Sequence, residues 1–179
     1  MNVLAFGASN SRQSINKTLA GYAASLIAGA NVELLDINDY EMPLFSEDRE
    51  KELGQPAQAK AFRKKLGDAD AIVVSFAEHN GSYTAAYKNL FDWTSRIGTD
   101  VFQQKPVVFL STSPGPGGAA NVLAAAVKSA PHFAANITAS VSVPRFHDNF
   151  DRETHSINDA EILRELEQAV QTLRTHQGE

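Results

Sequence analysis

The side chains best suited to hold a ligand fall in three short stretches. In the first, "GASNSRQSIN" at positions 7–16, the hydroxyls of Ser9, Ser11 and Ser14, the amides of Asn10 and Asn16 and the guanidinium of Arg12 crowd one turn. The turn follows the apolar run "VLAF" and precedes Ile15, Leu19, Tyr22 and Leu26, spaced i, i+4, i+7, i+11, so it sits where a strand passes into a helix. Hydroxyls and backbone N–H groups at a helix start, with Arg12 beside them, suit a phosphate monoester. Ser14 fits the N-cap position, but Lys17 three residues on rules out a capping box. Arg12 and Lys17 oppose the helix dipole by a few tenths to ~1 kcal/mol each unless an anion compensates. The same residues also suit a plain helix-capping turn, and both readings stand at this point. A dinucleotide loop is not supported, because Gly7 is the only glycine before Gly21 and G-x-G-x-x-G needs three. Asp36, near the end of a β-rich run, reads as a solvated strand-end carboxylate.

The second stretch is "AEHNGSYTAAYKNLFDW" (77–93), where Asn80-Gly81 is a turn signal because both residues tolerate positive φ. The third, "STSPGPGGAAN" (111–121), carries Gly115, Gly117 and Gly118, which let backbone approach a flat ligand and equally suit a tight turn. No side chain is nominated as catalytic. His132, His147, His155 and His176 show no metal-ligand spacing and read as solvated or helix-end residues, so no metal is expected. The absence of cysteine removes disulfides, thiolate metal sites and cysteine nucleophiles.

These stretches need a frame that brings them together. Short β-rich runs at 2–7, 32–37, 71–76, 106–111 and 137–143 alternate with helical spacing, and several are nearly continuous in apolar residues, as strands covered on both faces should be. Five successive β-α units predict an α/β fold, a doubly wound five-stranded parallel sheet of order 2-1-3-4-5 with helices on both faces. Ligands then bind beyond the carboxyl ends of the strands, where the loops after strands one, three and four meet. The least regular segments are 38–55 and 144–157.

At 179 residues, 43% hydrophobic, the chain is expected to form one domain over 1–179. A net charge of −5 argues against a nucleic-acid binder. The N-terminal apolar run lacks the basic flank of a signal peptide and no stretch approaches the ~20 apolar residues of a spanning helix, so a soluble cytoplasmic protein with no membrane contact is expected. On the predicted helix from about 84 to 97, Ala86, Leu90, Trp93 and Ile97 form one stripe that Tyr83, Tyr87 and Phe91 widen to about 160°, beyond the ~100° needed to pack on one sheet. A homodimer or homotetramer is expected to cover the excess, unless the C-terminal segment does so.

Taken together, these stretches resemble the flavodoxin-like NADPH-dependent FMN reductases, which include quinone and azo reductase-like members. Gly7, Arg12, Ser14 and Asn16 are similar to the family's G-S-x-R-x-x-S-x-N loop, with one extra residue between Gly7 and Ser14. Glu78, Asn80, Gly81, Ser82, Lys88, Asn89, Asp92 and Trp93 resemble its P-E-Y-N-G-S-x-P-x-x-L-K-N-x-x-D-W segment, with Ala77 and Thr84 in place of prolines and His79 in place of tyrosine. The third loop is similar to a Ser-Pro-Gly-Gly segment, and "MPLFSED" (42–48) to a stretch found after strand two. The resemblance implies FMN and NAD(P)H as cofactors and hydride transfer through flavin to a small-molecule acceptor such as a flavin, quinone or azo compound. It implies that Ser9, Arg12, Ser14, Ile15 and Asn16 hold the phosphate end. Ala77, Glu78, His79, Asn80 and Gly81 would border the isoalloxazine, with Ser113, Pro114, Gly115 and Gly118 on its other side. An FMN-binding electron carrier without nicotinamide turnover is the alternative. A receiver domain is set aside, because Ser75 and Phe76, not a carboxylate, end strand three.

Overall fold

The computed structural model describes residues 1–175; His176 lies outside them. The chain opens with β1 (Asn2–Ala8), α1 (Ile15–Ser25) and β2 (Asn31–Leu35), then a 3-10 turn at Ile37–Tyr40, α2 (Glu47–Leu53) and α3 (Ala57–Asp68). Next come β3 (Ala71–Phe76), a two-residue ribbon of β4 (Glu78–His79) and β5 (Ser82–Tyr83), α4 (Ala85–Ser95), β6 (Pro106–Thr112) and α5 (Ala120–Ser129). A second 3-10 turn at Ala130–Phe133 leads to β7 (Asn136–Val143), α6 (Phe146–Asn149), a ribbon of β8 (Phe150–Asp151) and β9 (Ser156–Ile157), and α7 (Ala160–Thr175).

The five long strands pair in parallel in the order β2-β1-β3-β6-β7. This is the flavodoxin-like order expected from the alternation, and the sheet carries a core on each face. Leu4, Phe6, Ile72, Val74, Phe76 and Phe109 point to the side of α3, α4 and α5, while Val3, Ala5, Val73, Val108 and Leu110 point to that of α1 and α7. The period of two along each strand divides its apolar residues between the two faces. All six residues of β3 are buried, which is why its sequence shows no polar alternation.

α1 lies unusually close to β1. A Cβ on Gly7 would stand 2.7 Å from the Lys17 Cα and nearer still to the Lys17 nitrogen, so only glycine allows the approach. The segments read as irregular contain short elements instead, the 3-10 turn and α2 in 38–55, and α6 with the second ribbon in 144–157. None exceeds seven residues, and α2 buries no residue, so little hydrophobic periodicity marks them in sequence.

Candidate functional site

Because the strands are parallel, the loops after β1, β3, β6 and β7 all leave the same edge of the sheet. Specific hydrogen bonds tie the first three together. The Thr84 hydroxyl caps α4 by accepting the Tyr87 N–H at 3.2 Å and donates to the Ala8 carbonyl at 2.9 Å, joining the second loop to the end of β1. Thr84 therefore fills, as an N-cap, one of the positions where the related pattern carries proline.

Asn16, expected at the phosphate, turns inward. Its side chain is buried; Oδ1 accepts the Ser75 hydroxyl at 2.7 Å and the Thr112 N–H at 3.1 Å, and Nδ2 donates to the Thr112 carbonyl at 3.1 Å. It thus clamps the start of α1 to the ends of β3 and β6. Glu78, expected beside the ring, also has another task. Its carboxylate accepts the Val122 N–H at 2.8 Å and the Asn121 amide at 3.2 Å. α5 has no side-chain cap of its own, and Ala119 before it is left-handed, so Glu78 supplies the negative charge its N-terminus favours.

In the first loop Ser14 caps α1 by accepting the Lys17 N–H at 3.1 Å, and Ser9 accepts the Ser11 N–H at 3.2 Å. Both serines are buried, Arg12 is exposed, and Ile15 packs partly against the α1/α7 core. Asp36 is not a free solvated carboxylate. It binds the Lys17 ammonium at 2.6 Å and accepts the N–H and side-chain amide of Asn38. Partial burial raises its pKa, but Lys17 and Asn38 outweigh that and hold it below the ordinary value. Lys17 is thereby neutralised, so the cost expected of two cations at this helix start falls on Arg12 alone. Among the described residues Arg12 has no carboxylate within ion-pair distance.

The Asn80-Gly81 turn joins β4 to β5 with positive φ at both residues, 52° and 77°, as a tight hairpin requires. His79 is exposed on this ribbon and Ala77 is half-buried behind it. In the third loop Ser113 bonds the Gly115 carbonyl, which also accepts the Arg145 N–H. Pro114 is exposed, and no atom lies within 4 Å of where a Cβ on Gly115 or Gly117 would stand. Gly118 faces away from this opening; it is left-handed at φ 58°, a Cβ there would strike Ser142 Oγ, and its carbonyl accepts the hydroxyls of Ser111 and Ser142.

Asn89 and Trp93 hold the segment after β2. Asn89 accepts the Phe45 N–H at 2.8 Å and donates to the Met42 carbonyl, while the Trp93 indole N–H donates to the Pro43 carbonyl at 2.7 Å. This segment, Asn10 and the start of α4 enclose a cavity of about 270 Å³ beside the first loop.

The sequence profile of NADPH-dependent FMN reductase matches residues 1–148. The chain belongs to that family. It is an oxidoreductase of a family that works with FMN and NADPH. Among curated relatives of this reductase, a 2-hydroxy-1,4-benzoquinone reductase from Burkholderia is 36% identical over 111 residues, 61% of this chain and 58% of that one. An NAD(P)H-dependent FMN reductase from Pseudomonas aeruginosa is 34% identical over 121 residues, 67% of this chain and 64% of that one. Each match thus spans less than two thirds of the relative. In fold, the reductase is similar to a flavoenzyme NAD(P)H:acceptor oxidoreductase from Paracoccus denitrificans, with a TM-score of 0.79, 98% of both chains covered and 23% identity.

Proposed function

We propose that residues 1–179 act as one flavin-binding domain, which holds FMN across the three tied loops, takes hydride from NADPH or NADH and passes electrons to a small organic acceptor, a quinone, flavin or azo compound. The observation that carries this reading is the pairing of an unpartnered Arg12 on a hydroxyl-lined helix start with open space over Gly115 and Gly117 on the neighbouring loop. A phosphate suits the former and a flat ring system the latter. Ser9, Arg12 and Ser14 would hold the phosphate, with Ile15 behind them; Ala77, His79, Asn80, Gly81, Ser113, Pro114 and Gly115 would border the ring. Asn16, Glu78 and Gly118 would act one step back, fixing where those loops stand. FMN, when bound, supplies the hydride-accepting and electron-donating chemistry. The protein's share would be position and exclusion of water.

A homodimer fits the α4 surface. α7 packs on the opposite face of the sheet; Tyr87 and Trp93 are buried within the α3/α4/α5 core of the chain itself, and the half-buried Tyr83 and Phe91 line, with Phe133, an apolar cleft of about 190 Å³ between α4 and α5 that a second copy would cover. A cytoplasmic setting is part of the same proposal; no described helix is long and apolar enough to cross a membrane.

The test is FMN fluorescence titration of the wild type and Ser14→Glu, followed by NADPH oxidation under air and with a quinone. Tight binding lost in Ser14→Glu, with multiple turnovers in the wild type, is expected. An unchanged dissociation constant would remove the phosphate assignment, and flavin that dithionite reduces but NADPH does not would favour an electron carrier.

A further inference from the structure

Of the chain's asparagines only Asn80 precedes a glycine. An asparagine so placed can cyclise: the backbone nitrogen of the next residue attacks the side-chain carbonyl carbon, and glycine has no side chain to crowd the ring that forms. Both residues are exposed at the tip of the β4–β5 ribbon, and no atom lies within 4 Å of where a Cβ on Gly81 would stand. Among the described residues neither the Asn80 side chain nor the Gly81 N–H takes a hydrogen bond, so both reacting groups are uncommitted within the chain.

The turn is also one peptide flip from the conformation that closes the ring. With φ of 52° and 77° on a two-residue loop it is type I′, in which the Gly81 nitrogen lies on the far side of Asn80 from that residue's side chain. Flipping the Asn80–Gly81 peptide plane gives type II′, which keeps the positive φ at the first residue and the same strand pairing, and swings the nitrogen round to the side chain. Gly81, lacking a Cβ, passes between the two forms. The other asparagines are held back. Asn10 is exposed too, but Ser11 follows it and the Ser11 N–H is engaged by the Ser9 hydroxyl at 3.2 Å. After Asn38 the Asp39 N–H is taken by the Asp36 carbonyl, and Asn16, Asn89 and Asn149 spend their amides on backbone carbonyls.

We propose that Asn80 is a site of spontaneous deamidation, and that bound flavin shields it; the shielding rests on the flavin reading above, the reaction itself does not. The Gly81 nitrogen bonds to Asn80 Cγ as the Cγ–Nδ2 bond breaks. Ammonia leaves with the proton given up by the Gly81 nitrogen, and a succinimide remains. Water opens it at either carbonyl, to aspartate or to isoaspartate. Isoaspartate carries an extra methylene in the main chain, so a two-residue turn can no longer hold Glu78 against Tyr83 and His79 against Ser82. Glu78 also caps α5 through the Val122 N–H, so the change reaches the third loop as well. A chain without flavin thus loses its ring-bordering loop with age, and a loaded one keeps it.

Incubation of the full chain with and without FMN, followed by tryptic digestion and mass spectrometry, tests this. The peptide 66–88 carries Asn80 as its only asparagine, and the peptide 1–12 carries Asn2 and Asn10 as controls. In the flavin-free chain deamidation of 66–88, with isoaspartate detected by isoaspartyl methyltransferase, should run at least about tenfold faster than that of 1–12, because the Ser11 N–H must first leave its bond and the Ser11 Cβ crowds the ring. It should rise with pH, since the nucleophile is the deprotonated amide. FMN at about 100 times its dissociation constant leaves about 1% of the chain free, so the rate should fall about a hundredfold. Aged protein should lose FMN affinity in step with its isoaspartate content, and Asn80→Asp, which adds the charge without the methylene, should lose less. Deamidation of 66–88 no faster than that of 1–12 would overturn the proposal, and an unchanged rate with FMN bound would overturn the shielding. If FMN fails to bind while 66–88 still outpaces 1–12, the flavin reading falls and the deamidation site stands.

Discussion

Replacing Asn16 by alanine separates two roles that the sequence alone confuses. If Asn16 contacts the flavin phosphate, the variant loses flavin affinity and keeps the stability of the free protein. If it clamps α1 to the sheet, the free protein itself is weakened. The buried side chain makes three bonds, to the Ser75 hydroxyl, the Thr112 N–H and the Thr112 carbonyl. The hydroxyl can turn to another acceptor, and the carbonyl keeps a second lone pair, so the Thr112 N–H is the group left most exposed to loss. A stranded buried polar group costs about 1–3 kcal/mol, and with one such group and a partial second the expected loss is about 2–4 kcal/mol. For a chain of this size each kcal/mol moves Tm by about 2–4 °C, so a fall of about 5–15 °C is expected.

Urea unfolding of the flavin-free protein is the decisive measurement, read as a shift in midpoint at constant slope. A double-mutant cycle with Ser75→Ala should return a coupling of at least about 0.5 kcal/mol, because the two side chains share a bond. Asn16→Asp keeps the acceptor but sets a second oxygen against the Thr112 carbonyl, so it should not rescue. A loss below about 1 kcal/mol in Asn16→Ala, with flavin affinity nonetheless reduced, would refute the clamp.

Two other contacts give measurable outcomes. Glu78→Ala should lower stability by about 1 kcal/mol in urea unfolding, as loss of a helix cap does, and Glu78→Gln should recover part of it, since an amide oxygen still accepts the Val122 N–H. Asp36, whose folded pKa lies below the ordinary 3.8, contributes stability present above that value and lost as pH falls through the lower folded one. Asp36→Asn should therefore cost under about 1 kcal/mol at neutral pH, the pair being partly exposed, and flatten the acid side of the stability curve.

The frame was readable because its signals are long and periodic. Five apolar runs and the helical spacing between them lead to the observed strand order, and the N-cap role of Ser14 agrees with its place before Ile15. What escaped are the directions of single polar side chains. Nothing local in "SIN" tells whether Asn16 faces a ligand or reaches Thr112, 96 residues away in sequence. Asp36 reads as solvated because its partner Lys17 comes from a different element.

These contacts divide the motif residues into two kinds. Asn16, Glu78, Thr84, Asn89 and Trp93 all spend their polar atoms on the chain itself, binding one loop to the next. Little is left to touch a ligand except backbone, the serines of the first loop, Arg12 and the exposed ribbon at His79. That division suits a reaction whose bond changes lie in a cofactor, for which the protein need only hold two flat rings in register and keep the loops from drifting. On the proposed reading it also places specificity outside the motif: with the framing residues committed to the scaffold, the choice of acceptor would fall to what surrounds the edge, such as the segment held by Asn89 and Trp93.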